Sequence, residues 1–294
     1  WLGPFSIQPG EFSKILLILF FAMLLTQKRS LFTVAGFKFL GLSLPRLRDL
    51  APILVIWGIA IVIMGISNDF GPALLLFSTV LGMLFMATNR VSWLIIGVIL
   101  VGIGGFGIYQ VSDKIQQRFS NFIDPLANYD TTGFQLSQAL FGMSSGGITG
   151  TGLGQGHPDM VPVAHSDFIL AGIGEEFGLV GLAAVLVLFS MLVSRGFRTA
   201  LTCRDTYGKL VASGLALTLA VQVFVVTGGI SALLPMTGLT TPFMSAGGSS
   251  LMANYMLLAV LLRISNAARR PARELTSNAP SDTSMFPAIQ EATR

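Results

Sequence analysis

Apolar residues in this chain recur in long blocks rather than on one face of a repeating pattern. Runs at 12–27, 51–66, 70–88, 91–111, 168–194, 210–234 and 248–262 are nearly free of charge. Each approaches the ~20 residues that a helix needs to cross a bilayer, the first, second and last being short. A helix that is apolar all round has no aqueous face, so the pattern predicts an all-α, polytopic bundle of about seven transmembrane spans. No charge occurs between Lys209 and Arg263, and that stretch is too long for one helix. Pro235, Gly238, Pro242, Gly247 and Gly248 supply the turn that divides it. The membrane domain is expected over 1–263. Residues 264–294, rich in Ala, Ser, Thr, Pro and charge, are expected to form a disordered cytoplasmic tail.

Composition removes the soluble alternatives. A mean hydropathy of +0.74 with 52% hydrophobic and 11% charged residues lies far from a soluble domain, which carries about 25% charge. Fifteen of the eighteen Lys and Arg fall in alternate connections and at the C-terminus, leaving Lys14, Lys114 and Arg118 for the other side. The positive-inside rule then places the C-terminus in the cytoplasm and residues 1–10, 67–70, 112–166 and 235–250 outside. The pI near 9.5 reflects this topology; no basic run interleaves with aromatics, so nucleic acid is not an expected partner. Cys203 is the single cysteine and excludes an intrachain disulfide. The chain opens on Trp1 without a methionine or a basic segment, so its first apolar run is not a signal peptide. An odd number of spans with a cytoplasmic C-terminus starts the chain outside, which implies earlier helices. There is no visible internal repeat of the kind found in many transporters.

The polar chemistry concentrates in the external loop 112–166. It carries Lys114, Arg118, Gln135 and a stretch from Gly142 to Gly156 with seven glycines in fifteen residues. Such density brings backbone N–H groups close to a ligand or makes a flexible linker, and a long loop of this kind could close as a lid. Directly after it, Pro162-Val163-Ala164-His165-Ser166-Asp167-Phe168 brings a carboxylate to the mouth of a span. Asp167 there serves as a helix N-cap, worth ~1 kcal/mol, or as a general base whose partial desolvation lifts its pKa toward operating pH. Glu175 and Glu176 follow about 12–13 Å further along a helix axis. At that depth they must face a cavity, a cation or the surface, unless the first turns stand proud of the membrane. Glu11 and Lys14 lie one turn apart and either pair with each other or leave Lys14, with Arg118, to hold an anion such as a pyrophosphate. His157 and His165, with no cysteine cluster, make a poor transition-metal site. Gly102-Ile103-Gly104-Gly105-Phe106-Gly107 fits a dinucleotide fingerprint but lies inside an apolar span, which excludes that use.

Seven segments in order then carry a resemblance: Gln8–Lys14, Asn68–Ala73, Gly133–Gln135, Gly150–Gly156, Pro162–Phe168, Gly174–Gly178 and Thr240–Ser250. Together they resemble the SEDS proteins, the family of FtsW, RodA and SpoVE, from Trp1 to about Arg263. The resemblance implies a ten-span, inverting peptidoglycan glycosyltransferase that polymerises lipid II at the outer face of the cytoplasmic membrane, in elongation or division. Asp167, matching the family's catalytic aspartate, would deprotonate the acceptor 4-hydroxyl as undecaprenyl pyrophosphate leaves. The leaving group needs cations, from Arg118, Lys114 and Lys14 or from a divalent metal, Mg or Mn; no tightly bound cofactor is implied. The matched motifs further imply Glu11, Gln135, His165, Ser166, Glu175, Ser245, Gly247, Gly248 and Ser249 as substrate-binding residues, and a class B penicillin-binding protein as partner. Val163 stands where many members carry glutamate, Ala246 where tyrosine is frequent, and Gly10 where serine or alanine is usual. Beginning just before the family's fourth helix, the chain resembles an N-terminally truncated member. A lipid-linked-precursor flippase, with Glu175 and Glu176 as coupling groups, and a scaffold for a partner enzyme are the competing functions.

Overall fold

The computed structural model describes residues 8–27, 35–39, 42–45, 55–59 and 70–269. It is a polytopic helical bundle. Among the described residues, six helices are long and apolar enough to cross a membrane. They are α1 (Pro9–Gln27), α2 (Phe70–Thr88), α3 (Ser92–Val111), α7 (Gly178–Thr202), α8 (Thr206–Ile230) and α9 (Gly248–Arg269). Between α3 and α7 come three shorter helices, α4 (Asp113–Ile123), α5 (Phe134–Gly146) and α6 (Ile169–Glu176), with a 3-10 turn at Pro158–Met160. The span expected at 51–66 falls outside the described residues except for 55–59, which are helical and bond through Trp57 Nε1 to the Leu100 carbonyl at 2.9 Å.

The connection after α1 contains a short antiparallel hairpin, β1 (Ala35–Phe39) with β2 (Leu42–Pro45), in the register Phe37↔Leu44, Lys38↔Ser43 and Phe39↔Leu42. Hydrophobic blocks gave no sign of it. The last helix also runs past the expected membrane boundary at 263, to Arg269.

Helix α8 is the central post, with 16 of its 25 residues buried against 5 of the 25 in α7. Small residues permit this. A Cβ on Gly214 would lie 2.8 Å from Ile18 of α1 and from Met83 of α2, and one on Gly196 would lie 2.7 Å from the Ala216 methyl. Close backbone approach of this kind is how helices pack where lipid removes the hydrophobic drive. A buried hydroxyl pair, Thr79 with Thr218 at 3.1 Å, pins α2 to α8. One apolar core lies among α1, α2, α3, α8 and α9 around Ile18, Met83, Trp93 and Leu215. A second, around Leu136, Phe168, Leu170, Val226 and Leu239, packs α5 and α6 against α8 and sits directly under the candidate site.

The apolar run 168–194 is two helices, not one. The chain breaks at Phe177, and Gly178 takes φ +67. Two sets of orphan backbone groups result, and the glycine-rich segment satisfies both. Leu179 and Val180 N–H donate to the carbonyls of Gly147 and Ile148 at 2.9 and 3.1 Å, while Thr151 and Gly152 N–H donate to those of Glu175 and Glu176, each at 3.0 Å. Irregular backbone near a bilayer persists only with such internal pairing. The loop 112–166 thus contains two α-helices and a 3-10 turn, and Gly147 and Gly152 take part in this pairing. At Gly150, φ +87, a Cβ would meet the Glu176 carbonyl oxygen at 2.2 Å, so only glycine fits.

Candidate functional site

Two segments meet at one end of the bundle: 157–168, leading into α6, and 237–247, leading into α9. Ser245 Oγ donates to the Ser166 carbonyl at 2.6 Å and accepts from Thr241 N–H at 2.7 Å, while Ala246 N–H donates to the His165 carbonyl at 2.8 Å. From α5, Gln135 Nε2 donates to the Pro162 carbonyl at 2.6 Å. Each segment contains a non-glycine residue in the left-handed region, Val163 at φ 57 and Phe243 at φ 63. Such conformations persist where the surroundings over-determine them.

Asp167 is half-buried on this seam. Its Oδ1 accepts from Ser166 Oγ at 2.9 Å, and its neighbour Phe168 is 2% exposed, which anchors the backbone beneath it. Helix α6 begins at Ile169 with Phe168 in the cap position, so Asp167 lies one residue ahead of the cap. Arg118 of α4 reaches the same place, its Nη1 donating to the Thr237 carbonyl at 3.1 Å. The two groups converge beside Gly238, φ +73, where a Cβ would lie 3.2 Å from Arg118 Nη2 and 3.8 Å from Asp167 Oδ2. A carboxylate and a guanidinium therefore both lie against Gly238, where any side chain would crowd them.

An apolar groove of about 490 Å3 ends at Arg118. It runs along α3 past Val101, Phe106 and Tyr109, with Phe119 of α4 and Pro235 and Met236 opposite. Gly102 and Gly105 form part of its wall, and a Cβ on either would meet open space. The glycines of the false dinucleotide motif thus widen a slot on the membrane face of α3.

The other predicted site residues divide. Lys114 is exposed on the same helix as Arg118, one turn earlier, and His165 is exposed at the seam. Lys14 is 2% exposed and turned into the bundle. Its Nζ lies 2.7 Å from Glu11 Oε2 and donates to Gln222 Oε1 at 3.1 Å and Asn254 Oδ1 at 3.3 Å. Of the two roles the sequence left open for Glu11 and Lys14, the geometry has the ion pair. Glu175 is 7% exposed and its Oε1 accepts His157 N–H at 2.7 Å; Glu176 Oε1 accepts Gly154 N–H at 3.1 Å. Both carboxylates hold the glycine-rich segment. Gly247 and Gly248 open α9, where Leu251 N–H donates to the Gly247 carbonyl at 2.8 Å. Ser249 Oγ accepts from Gln8 N–H at 3.1 Å. Gln222 and Asn254 were not singled out from the sequence; polar amides inside charge-free spans were the available signal. Among the described residues there is no cluster of three His, Cys, Asp or Glu side chains suited to a metal ion.

Comparison with known proteins agrees with this architecture. The family model for FtsW, RodA and SpoVE, described as a cell cycle protein, matches residues 1–270. The chain is 53% identical over 277 residues to the peptidoglycan glycosyltransferase RodA of Mycobacterium tuberculosis, covering 94% of this chain and 59% of that protein. It is 35% identical over 272 residues to the stage V sporulation protein E of Bacillus subtilis, covering 91% and 71%. A chain of a peptidoglycan synthase complex, described as structurally coordinating polymerization and crosslinking, matches with a TM-score of 0.71 at 26% identity over 92% of this chain and 73% of that one. The fold of the rod shape determining protein RodA of Thermus thermophilus matches with a TM-score of 0.58 at 24% identity, over 92% and 69%. The chain thus spans under two thirds of the length of its mycobacterial relatives, and it belongs to the FtsW, RodA and SpoVE family.

Proposed function

We propose that this chain carries the catalytic end of a peptidoglycan glycosyltransferase that joins lipid II units at the outer face of the cytoplasmic membrane. The observation that carries the reading is the convergence of the Asp167 carboxylate and the Arg118 guanidinium on Gly238, at the end of an apolar groove. Glycosyl transfer from a lipid pyrophosphate needs a base on the attacking hydroxyl and positive charge on the leaving group, held in a preorganised gap. Asp167, oriented by Ser166 Oγ, takes the proton from the 4-hydroxyl of the acceptor N-acetylglucosamine. That oxygen forms a bond to the anomeric carbon of the donor as the bond to the pyrophosphate oxygen breaks, with inversion. Arg118 takes up the charge on the departing undecaprenyl pyrophosphate, and the groove accommodates apolar chain beside it. A divalent cation, Mg2+ or Mn2+, would supply further positive charge to the substrate's own phosphates, on the leaving side opposite Asp167. In this reading the C-terminus is cytoplasmic, and the crosslinking partner is a class B penicillin-binding protein, in line with the synthase complex that the fold matches. The flippase alternative has less support, because the Glu175 and Glu176 carboxylates are engaged by backbone N–H groups.

The test is polymerisation of labelled lipid II in nanodiscs by the chain, alone and fused behind the segment that precedes the match in the mycobacterial relative. Glycan strands from the wild-type protein and none from a folded Asp167→Asn variant support the reading. Strands that persist in Asp167→Asn remove the base, and a folded wild-type fusion that makes no strands removes the activity.

A further inference from the structure

The site segment 237–247 is fastened from behind by side chains that take no part in the chemistry proposed above. Gln222 of α8 is 1% exposed and uses both ends of its amide. Its Oε1 accepts from the buried Lys14 ammonium at 3.1 Å, and its Nε2 donates to the Thr240 carbonyl at 2.8 Å. Thr240 Oγ1 donates to Glu11 Oε1 at 3.2 Å and shares a 2.6 Å hydrogen bond with Ser250 Oγ. Asn254 completes the cage, accepting from Lys14 and donating to the Ser250 carbonyl at 2.9 Å. From Thr240 the contacts continue through Thr241 N–H to Ser245 Oγ, and from Ser245 Oγ to the carbonyl of Ser166, which precedes Asp167.

Resting on the glycosyltransferase reading, we infer that Gln222 is a positioning residue: it ties the buried Lys14–Glu11 pair to the backbone of the 237–247 segment and so fixes the seat of Asp167. Only a side chain that accepts at one end and donates at the other joins an ammonium to a carbonyl. Leucine breaks both links, and glutamate keeps the acceptor for Lys14 but sets an oxygen against the Thr240 carbonyl. A loosened segment shifts a catalytic group by a fraction of its own hydrogen-bond length, and misplacement of about 1 Å costs on the order of 10²-fold in turnover. The groove beside Arg118 is lined by α3, α4, Pro235 and Met236 and meets the segment where Arg118 bonds the Thr237 carbonyl, ahead of the Thr240 anchor, so binding of apolar chain there is expected to change little.

The experiment measures initial rates of lipid II polymerisation against substrate concentration in the preparation used above, for wild type, Gln222→Leu, Gln222→Glu, Ser245→Ala and the Gln222→Leu/Ser245→Ala pair. Thr218→Val serves as the control. Thr218 is fully buried on the same helix and bonded to Thr79, but has no link to the segment. Expected are kcat losses of about 10²-fold for both Gln222 variants with KM within about twofold of wild type. The pair falls no further than its worse member, because both act through one linkage, and Thr218→Val keeps its kcat. The inference is overturned if folded Gln222 variants retain kcat, if the two losses multiply, or if Thr218→Val loses as much. An active wild type with a dead Asp167→Asn and indifferent Gln222 variants sinks this inference alone. An inactive wild type, or an active Asp167→Asn, takes the glycosyltransferase reading down and this inference with it.

Discussion

Replacing Lys14 by methionine separates two roles that an ammonium near a phosphate-handling site can have. The side chain is 2% exposed and its partners are Glu11, Gln222 and Asn254. Methionine fills much of the volume but leaves the Glu11 carboxylate, 12% exposed, without its counter-charge. Breaking one side of a buried pair costs about 3–5 kcal/mol. Two amide oxygens, Gln222 Oε1 and Asn254 Oδ1, also lose their donor, at roughly 1 kcal/mol each. Removing both charges in Glu11→Gln/Lys14→Met restores most of the loss, since the dominant contribution is an uncompensated carboxylate rather than the pair's own attraction. Unfolding in SDS mixed micelles, followed by the fluorescence of Trp93, which is fully buried, measures both variants. The expected order is wild type, then the double variant, then Lys14→Met well below. If Lys14→Met unfolds with the wild type and instead raises KM for the lipid substrate, the ammonium works on the substrate and the ion-pair assignment is wrong.

Three further substitutions probe the scaffold around the site. Gly178→Ala should abolish the folded, monodisperse species on size exclusion, because its Cβ would sit 2.3 Å from Gly150 N and 2.4 Å from the Ile148 carbonyl oxygen at a positive φ; the cost is roughly 3 kcal/mol or more. Asp205→Ala should cost about 1 kcal/mol in SDS unfolding with no change in turnover, since the Asp205 carboxylate caps α8 by accepting Gly208 N–H at 2.8 Å. Val163→Asn should gain about 1 kcal/mol, because a β-branched residue at φ 57 is strained and its side chain is exposed; an unchanged or lower midpoint would show that the turn is held by contacts of the valine itself.

The spans were legible because bilayer thickness imposes a length that apolar runs must meet, and the runs beginning at 70, 91 and 248 start within a residue of their helices. The break at Phe177 was passed over although Glu175, Glu176 and Gly178 flank it, because the apolar run resumes at once and a single positive φ leaves no mark in hydropathy. Glycines 142–156 were visible but ambiguous; what decided their role was the pairing of Gly147, Ile148, Thr151 and Gly152 with the two helix ends. Asp167 stood out because the apolar run 168–194 follows it, although the structure places the short helix α6 between it and the span that starts at Gly178. The stretch without charge from 210 to 262 was read for its two spans, its turn and the segment Thr240–Ser250, and Gln222 and Asn254 lie outside that segment. A buried lysine in the first span requires acceptors from somewhere, and those amides are the ones that helix packing brings to it.

The Lys14 cage also bears on how the protein is made. Gln222 lies 208 positions after Lys14, and Asn254 lies 240 positions after it. At 5–20 residues per second, the ribosome needs roughly 10–50 s to cover that distance. Until then Glu11, one helical turn away, is the native partner already made. The seam over Asp167 likewise closes only once Ser245, 79 positions after Ser166, has been made.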